Sequence, residues 1–114
     1  MQDFAFKAGL RLAAAREILE LNQATVVTAL DVKANRYNQW EKQTGVSRVP
    51  AVYIIAKFSN IYGISLDWIY RGRADTLNPD RAAAISRKYD ELLAIYLAEE
   101  AAKKRPKGAK RRRA

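Results

Sequence analysis

The stretch Ala34-Asn35-Arg36-Tyr37-Asn38-Gln39-Trp40-Glu41-Lys42 places three side-chain amides and two cations within one short segment. An amide donates and accepts at once, which matches the N6 donor and N7 acceptor on adenine's major-groove edge. A guanidinium or ammonium suits the acceptors of guanine, or a phosphate. At about 100° per residue in a helix, Tyr37, Trp40 and Glu41 fall on one side, and Ala34, Asn35, Asn38, Gln39 and Lys42 on the other. The amide-bearing side is thus a candidate for reading base edges. Asn35 and Gln39 are the bidentate pair, Arg36, Asn38 and Lys33 lie nearby, and small Ala34 permits contact with a thymine methyl. Polar residues along a short helix also describe a merely solvated surface, so the surroundings must decide.

Other chemistry has little to work with. The chain has no cysteine and no histidine, which removes disulfides, thiolate metal sites, the commonest zinc ligand and the commonest general base. No Gly-rich phosphate loop is present, and the carboxylates are scattered without a recognisable pair. The expectation is a protein that is not an enzyme and carries no cofactor or metal. No apolar run reaches membrane-spanning length, and Met1 to Lys7 lack a signal-peptide pattern. The expected location is therefore cytoplasmic, alongside the nucleoid, with no membrane partner.

The net charge of +9 belongs to one end of the chain. Lys103, Lys104, Arg105, Lys107, Lys110, Arg111, Arg112 and Arg113 supply eight of the 21 basic residues, and no acidic residue lies among them. The remainder holds 13 basic against 12 acidic residues, so the body must be read from pattern rather than charge.

The elements that would position the amides follow from periodicity and punctuation. Residues 7–21 carry Leu10, Ala13, Ala14, Ile18 and Leu21 at helical spacing. Residues 23–43 read as two short helices broken near Asp31, the first N-capped by Asn22. Asp tolerates the left-handed backbone that a sharp turn there needs. Pro50 opens a helix over 51–62 closed by Gly63, and Ser65 caps a short run that Gly72 ends. Asn78-Pro79-Asp80 starts a long helix reaching about Lys104, before Pro106 and Gly108. No segment alternates as a strand would. The fold class is all-α in one domain plus appendages, with 105–114 expected to be a disordered basic tail.

From Leu21 to Glu41 the chain resembles the Cro/CI-repressor (XRE) helix-turn-helix family. The matching elements are Leu21-Asn22-Gln23, Val26-Val27, Ala29-Leu30-Asp31-Val32-Lys33 and Trp40-Glu41. Further on, Gly63-Ile64-Ser65-Leu66-Asp67-Trp68-Ile69-Tyr70-Arg71-Gly72 is similar to the family's closing helix. The resemblance covers about residues 7–72. It implies a compact five-helix, lambda-repressor-like helix-turn-helix domain over 1–77, followed by a C-terminal helix over 78–104.

The same resemblance implies roles. Ala34, Asn35 and Gln39 take the base-reading positions, with Lys33, Arg36 and Asn38 beside them. Asn22 and Gln23 open the helix that crosses the DNA backbone, where Gln23 touches phosphate and buttresses the reading helix. Lys42, Thr44 and Arg48 lie along the phosphates, and Arg16 with Glu41 forms an internal salt bridge. Trp40, Trp68 and Tyr37 take core positions, while Tyr53, Tyr62 and Tyr70 have no assignable role. Three residues depart from the pattern: Asp31 replaces the turn glycine, Lys33 the Ser or Thr cap, and Gln43 a common glycine. Lys33 forfeits a cap of about 1 kcal/mol and opposes the helix dipole, a local cost most readily accepted where function uses the cation.

In the C-terminal helix, Ile85, Tyr89, Leu92 and Tyr96 form a heptad-like stripe, with Ala82, Leu93 and Leu97 around it. It is a dimerisation surface or the face by which the helix folds back on its own domain. Dimerisation is the expectation, because relatives bind two half-sites about one helical turn apart. The functional expectation is a sequence-specific regulator of transcription, a repressor acting as a homodimer on double-stranded DNA with a two-fold symmetric operator. The basic tail would add affinity for any sequence by counterion release. Two other readings stay open: a protein-interaction module, antitoxin-like or regulator-binding, using the C-terminal helix, and a nonspecific nucleic-acid binder driven by the tail.

Overall fold

Six α-helices and one 3₁₀ turn account for the regular structure of a computed structural model that describes residues 3–41 and 48–104. They are α1 (Asp3–Ile18), α2 (Gln23–Leu30), α3 (Ala34–Glu41), α4 (Val52–Tyr62), α5 (Leu66–Arg71) and α6 (Pro79–Lys104), with the 3₁₀ turn at Ala74–Thr76 before α6. Among the described residues there is no strand, and no helix is long and apolar enough to cross a membrane.

Local chemistry sets most boundaries. The Asn22 side chain accepts from the Thr25 amide at 2.8 Å, Ser65 from the Trp68 amide at 3.0 Å, and Asn78 from the Asp80 amide at 2.8 Å. Each satisfies an amide that a helix start leaves without an intrahelical partner. Asp31 closes α2 in the left-handed region, at φ 55° and ψ 51°, and its amide and that of Val32 return to Thr28 and Val27. Gly63 and Gly72 close α4 and α5 in the same conformation.

The first helix differs from expectation at both ends. It starts near Asp3 because Phe6 packs against Tyr96 of α6, with ring centroids 4.3 Å apart. It stops at Ile18 because Glu20 turns left-handed, φ 61°, while the Leu21 amide bonds back to the Arg16 carbonyl at 3.1 Å. A glutamate at that position carries no local signal for such a turn. The turn over 74–76 was likewise not foreseen.

The core runs along α1. Leu10, Leu12, Ala8, Ala14 and Ala15 are fully buried, as are Val26, Leu30, Ile55, Phe58 and Ile69 of the helices around it. Helix α1 contacts α3, α5 and α6. Against α5 the attachment is reciprocal: the Trp68 indole donates to the Arg11 carbonyl at 3.1 Å, and the Arg11 guanidinium donates to the Ile69 carbonyl at 3.2 Å. Trp40 and Trp68 are core residues, 2% and 3% exposed. Tyr70, without a role in sequence, donates its hydroxyl to the Pro50 carbonyl at 2.7 Å. Burial pushes that phenol up to about 12.

Helix α6 runs antiparallel to α1, with Tyr96 over Phe6 near one end and Lys88 3.8 Å from Glu17 near the other. The stripe Ile85, Tyr89, Leu92 and Tyr96, expected above as a dimerisation surface, lies here against the chain's own helices. Ile85 is fully buried in the chain's own core, Tyr89 and Leu92 pack against that core, and Tyr96 covers Phe6. Tyr89 also meets the Trp68 ring edge-on at 5.9 Å and the Arg11 guanidinium at 5.7 Å. The stripe is spent on folding back.

Candidate nucleic-acid interface

Helix α3 divides cleanly by face. Tyr37, Trp40 and Glu41 are buried, whereas Ala34, Asn35, Arg36, Asn38 and Gln39 are all exposed, as is Lys33 before them. The polar face is open because the other face is held in three ways.

The first hold is electrostatic. Arg16 grips Glu41 through Nε–Oε2 and Nη2–Oε1 contacts, both 2.9 Å, and its Nη1 donates to the Leu21 carbonyl at 2.8 Å. Gln23 adds a bond from Nε2 to Glu41 Oε1 at 3.0 Å. One carboxylate at the end of α3 is therefore tied to α1 and to the first residue of α2. A buried carboxylate needs such partners to stay charged.

The second hold is aromatic. Tyr37 is fully buried beside Trp40, ring centroids 5.7 Å apart, so its hydroxyl does not reach the outer surface. Burial, reinforced by Glu41, pushes this phenol well above its ordinary value and keeps it neutral. On the outer rim the Arg36 guanidinium lies 5.5 Å from the Trp40 ring centroid. A cation over an aromatic ring keeps its charge while losing freedom, which aims the group.

The third hold was missed in sequence. Gly9 of α1 lies against the backbone of α3, and a Cβ there would collide with the Trp40 carbonyl oxygen. An isolated glycine in an Ala-rich helical pattern is the available signal, since such a residue costs about 1 kcal/mol and survives for a packing reason. A second missed contact is Lys57 of α4, whose Nζ approaches the Leu30 carbonyl at the end of α2 at 3.4 Å. Twenty-seven positions separate the two, and nothing local announces the pairing.

The other expected contact residues fall as follows. Asn22 is exposed with its side-chain oxygen engaged in the cap, and Gln23 is partly buried against Glu41. Arg48 and Lys103 are exposed. Lys42 and Thr44, and Arg105, Lys107, Lys110, Arg111, Arg112 and Arg113 of the tail, lie outside the described residues, and Lys104 is described only as the last position of α6. Among the described residues no group of acidic side chains is arranged to hold a metal ion.

What the arrangement can do is present the exposed side chains of Lys33, Asn35, Arg36, Asn38 and Gln39 together along one short helix and its start. Comparison of the chain with models of known protein families, with characterised proteins and with solved structures finds no match in any of the three.

Proposed function

We propose that this chain is a sequence-specific double-stranded DNA-binding regulator of transcription, a repressor. In this reading α2, the turn at Asp31 and α3 are a helix-turn-helix of the Cro/CI-repressor kind within a lambda-repressor-like domain. The observation that carries it is the two-sidedness of α3. Its inner side is locked by Arg16, Gln23, Trp40 and Gly9, while Ala34, Asn35, Arg36, Asn38 and Gln39 are exposed to solvent. A helix entering a major groove needs that rigidity, because any ordering on binding subtracts from affinity.

In this reading Asn35 and Gln39 read base edges, Arg36 approaches guanine or phosphate, and Ala34 lets the helix come close. Lys33 and Asn38 stand beside them at the base edges, and Asn22 and Arg48 supply phosphate contacts that fix register without choosing sequence. The basic residues from Lys103 onward add the sequence-independent share of affinity. Repression fits a small domain that can occlude a promoter without a ligand-binding module.

Selection of bound duplexes from a random pool, at two salt concentrations, tests the reading. A defined consensus surviving at the higher salt supports it. Recovery of random sequence at low salt only would leave a tail-driven binder and refute base reading.

A further inference from the structure

We infer that the apolar surface around Pro50, formed by Phe4, Tyr70, Val49, Val52 and Tyr53, docks an acidic segment of another protein. The segment it fits carries large apolar side chains between carboxylates. None of these five residues, nor the cations beside them, is used by the interface proposed above.

Three elements meet at this surface. Phe4, in the first turn of α1, stacks on Tyr70 of α5, with ring centroids 6.3 Å apart and planes 20° from parallel. Tyr70 in turn fixes its hydroxyl on the Pro50 carbonyl, just before α4. Val49 flanks Pro50 on one side, and Val52 and Tyr53 open α4 on the other. Phe4 is 55% exposed, Val49 47%, Val52 58% and Tyr53 67%, while Pro50 is buried beneath them. Large apolar side chains left in water around one point form a surface that a partner's contact would stabilise. Because Tyr70 is already anchored and Phe4 already stacked, little side-chain freedom remains there to be lost on binding.

The neighbouring charges select the occupant. Lys7 lies three residues after Phe4 on α1, Lys57 four after Tyr53 on α4, and Arg71 follows Tyr70. All three are exposed. Arg71 meets Asp67 at 3.8 Å in a solvated pair, and Lys57 approaches the Leu30 carbonyl. Among the described residues neither Lys7 nor Lys57 makes an ion pair. The surface is thus apolar at its centre and cationic at its edge, and its complement is apolar at the centre and anionic at the edge.

Other occupants match only half of that description. A second copy docked two-fold on this surface would bring Lys7, Lys57 and Arg71 towards their own counterparts. Duplex DNA has the charge, but its phosphate and sugar contacts gain nothing from Phe4, Val52 or Tyr53. An anionic membrane takes up apolar groups that project into it, whereas Phe4 lies flat on Tyr70. The chain's own further segments fail on charge, since residues 1–2, 42–47 and 105–114 contain no Asp or Glu. The carboxylates must come from another protein.

Three short fluorescein-labelled peptides test this on the full chain. One alternates Glu with Leu and Phe, one has every Glu replaced by Lys, and one has every Leu and Phe replaced by Ser. Fluorescence anisotropy is expected to show binding of the first alone. The amide resonances of Phe4, Lys7, Val49, Val52, Tyr53 and Arg71 should shift with it, while those of Asn35 and Gln39 stay in place. Tyr53→Ser is expected to weaken binding about tenfold. Lys7→Glu/Lys57→Glu should lose the Glu peptide and gain the Lys peptide. All four side chains changed or introduced in these variants sit at exposed positions, and helical circular dichroism should be unaltered.

Equal binding of the Glu peptide and its Ser version, with shifts confined to the C-terminal basic residues, would reduce the effect to bulk charge and overturn the proposal. A Lys7→Glu/Lys57→Glu variant that keeps its preference for the Glu peptide would do the same. So would shifts at Phe4 and Tyr53 that grow with protein concentration alone, the mark of a second copy. Phosphatidylserine vesicles that bind in a Tyr53-dependent way while the Glu peptide does not would assign the surface to a membrane instead. None of these measurements involves DNA, so their failure leaves the regulator reading standing, and the failure of duplex selection leaves this one.

Discussion

Arg16 and Glu41 meet fork to fork, two 2.9 Å contacts joining the last turn of α1 to the last residue of α3. The Arg16 side chain is 13% exposed and that of Glu41 4%, so neither charge is well solvated without the other. Removing one partner of a buried pair leaves an uncompensated charge, at a cost of about 3–5 kcal/mol. Glu41→Ala is expected to lower the urea midpoint by that order. Arg16→Met/Glu41→Leu should recover most of the loss, since an apolar pair can replace a buried ion pair. A double variant no better than Glu41→Ala would show that the pair does more than satisfy itself.

Gly9→Ala is expected to destabilise the fold and to disturb α3 in particular. The added methyl meets a backbone oxygen, which cannot rotate away as a side chain would. Overpacking of this kind costs typically about 1–3 kcal/mol. Backbone amide chemical shifts should move most along α3, with a lesser effect on α4. Shifts confined to α1 would contradict the close approach.

For base reading, Asn35→Ala and Gln39→Ala are each expected to weaken the selected site by about 1–3 kcal/mol while leaving random duplex untouched. Both side chains are exposed, so the fold should be indifferent. Equal losses on selected and random DNA, measured by fluorescence anisotropy at fixed salt, would count against direct readout.

Glu20→Gly should stabilise the protein. Glu20 is exposed and left-handed at φ 61°, a conformation that costs a residue with a Cβ about 1–2 kcal/mol and glycine little. Greater chain freedom in the unfolded state offsets part of the gain. A rise of a few degrees in melting temperature is the expected result. A fall would place an unrecognised contact at the Glu20 side chain.

Alkaline pH should undo the fold through two tyrosines. Burial raises Tyr70 to about 12 from an ordinary 10.0, and raises Tyr37 further, with Glu41 adding to it. The stabilisation from keeping these phenols neutral is complete below pH 10 and is lost as pH climbs through the folded-state values. Phenolate absorbance should therefore lag in the folded protein, and its late phase should coincide with loss of helical signal.

The parts of this architecture legible in sequence are those whose cause is local. Asn22, Ser65 and Asn78 cap helices because their side chains reach amides two or three residues away, and Asp31, Gly63 and Gly72 tolerate the backbone their turns need. The two faces of α3 followed from residue spacing alone. Glu20 was illegible because its left-handed turn serves the bond from Leu21 to Arg16, not any preference of glutamate. Gly9 could be noticed but not interpreted until α3 was laid across it. The stripe Ile85, Tyr89, Leu92 and Tyr96 fits a neighbouring molecule and the chain's own α1 equally well, since heptad spacing says that a seam exists and not whose helix fills it.

One helix underlies all of these contacts. Because α1 bears α3 on Gly9 and Arg16, α5 on Arg11 and α6 on Phe6, it serves as the keel of the molecule. Displacing α1 would therefore move α3, α5 and α6 together.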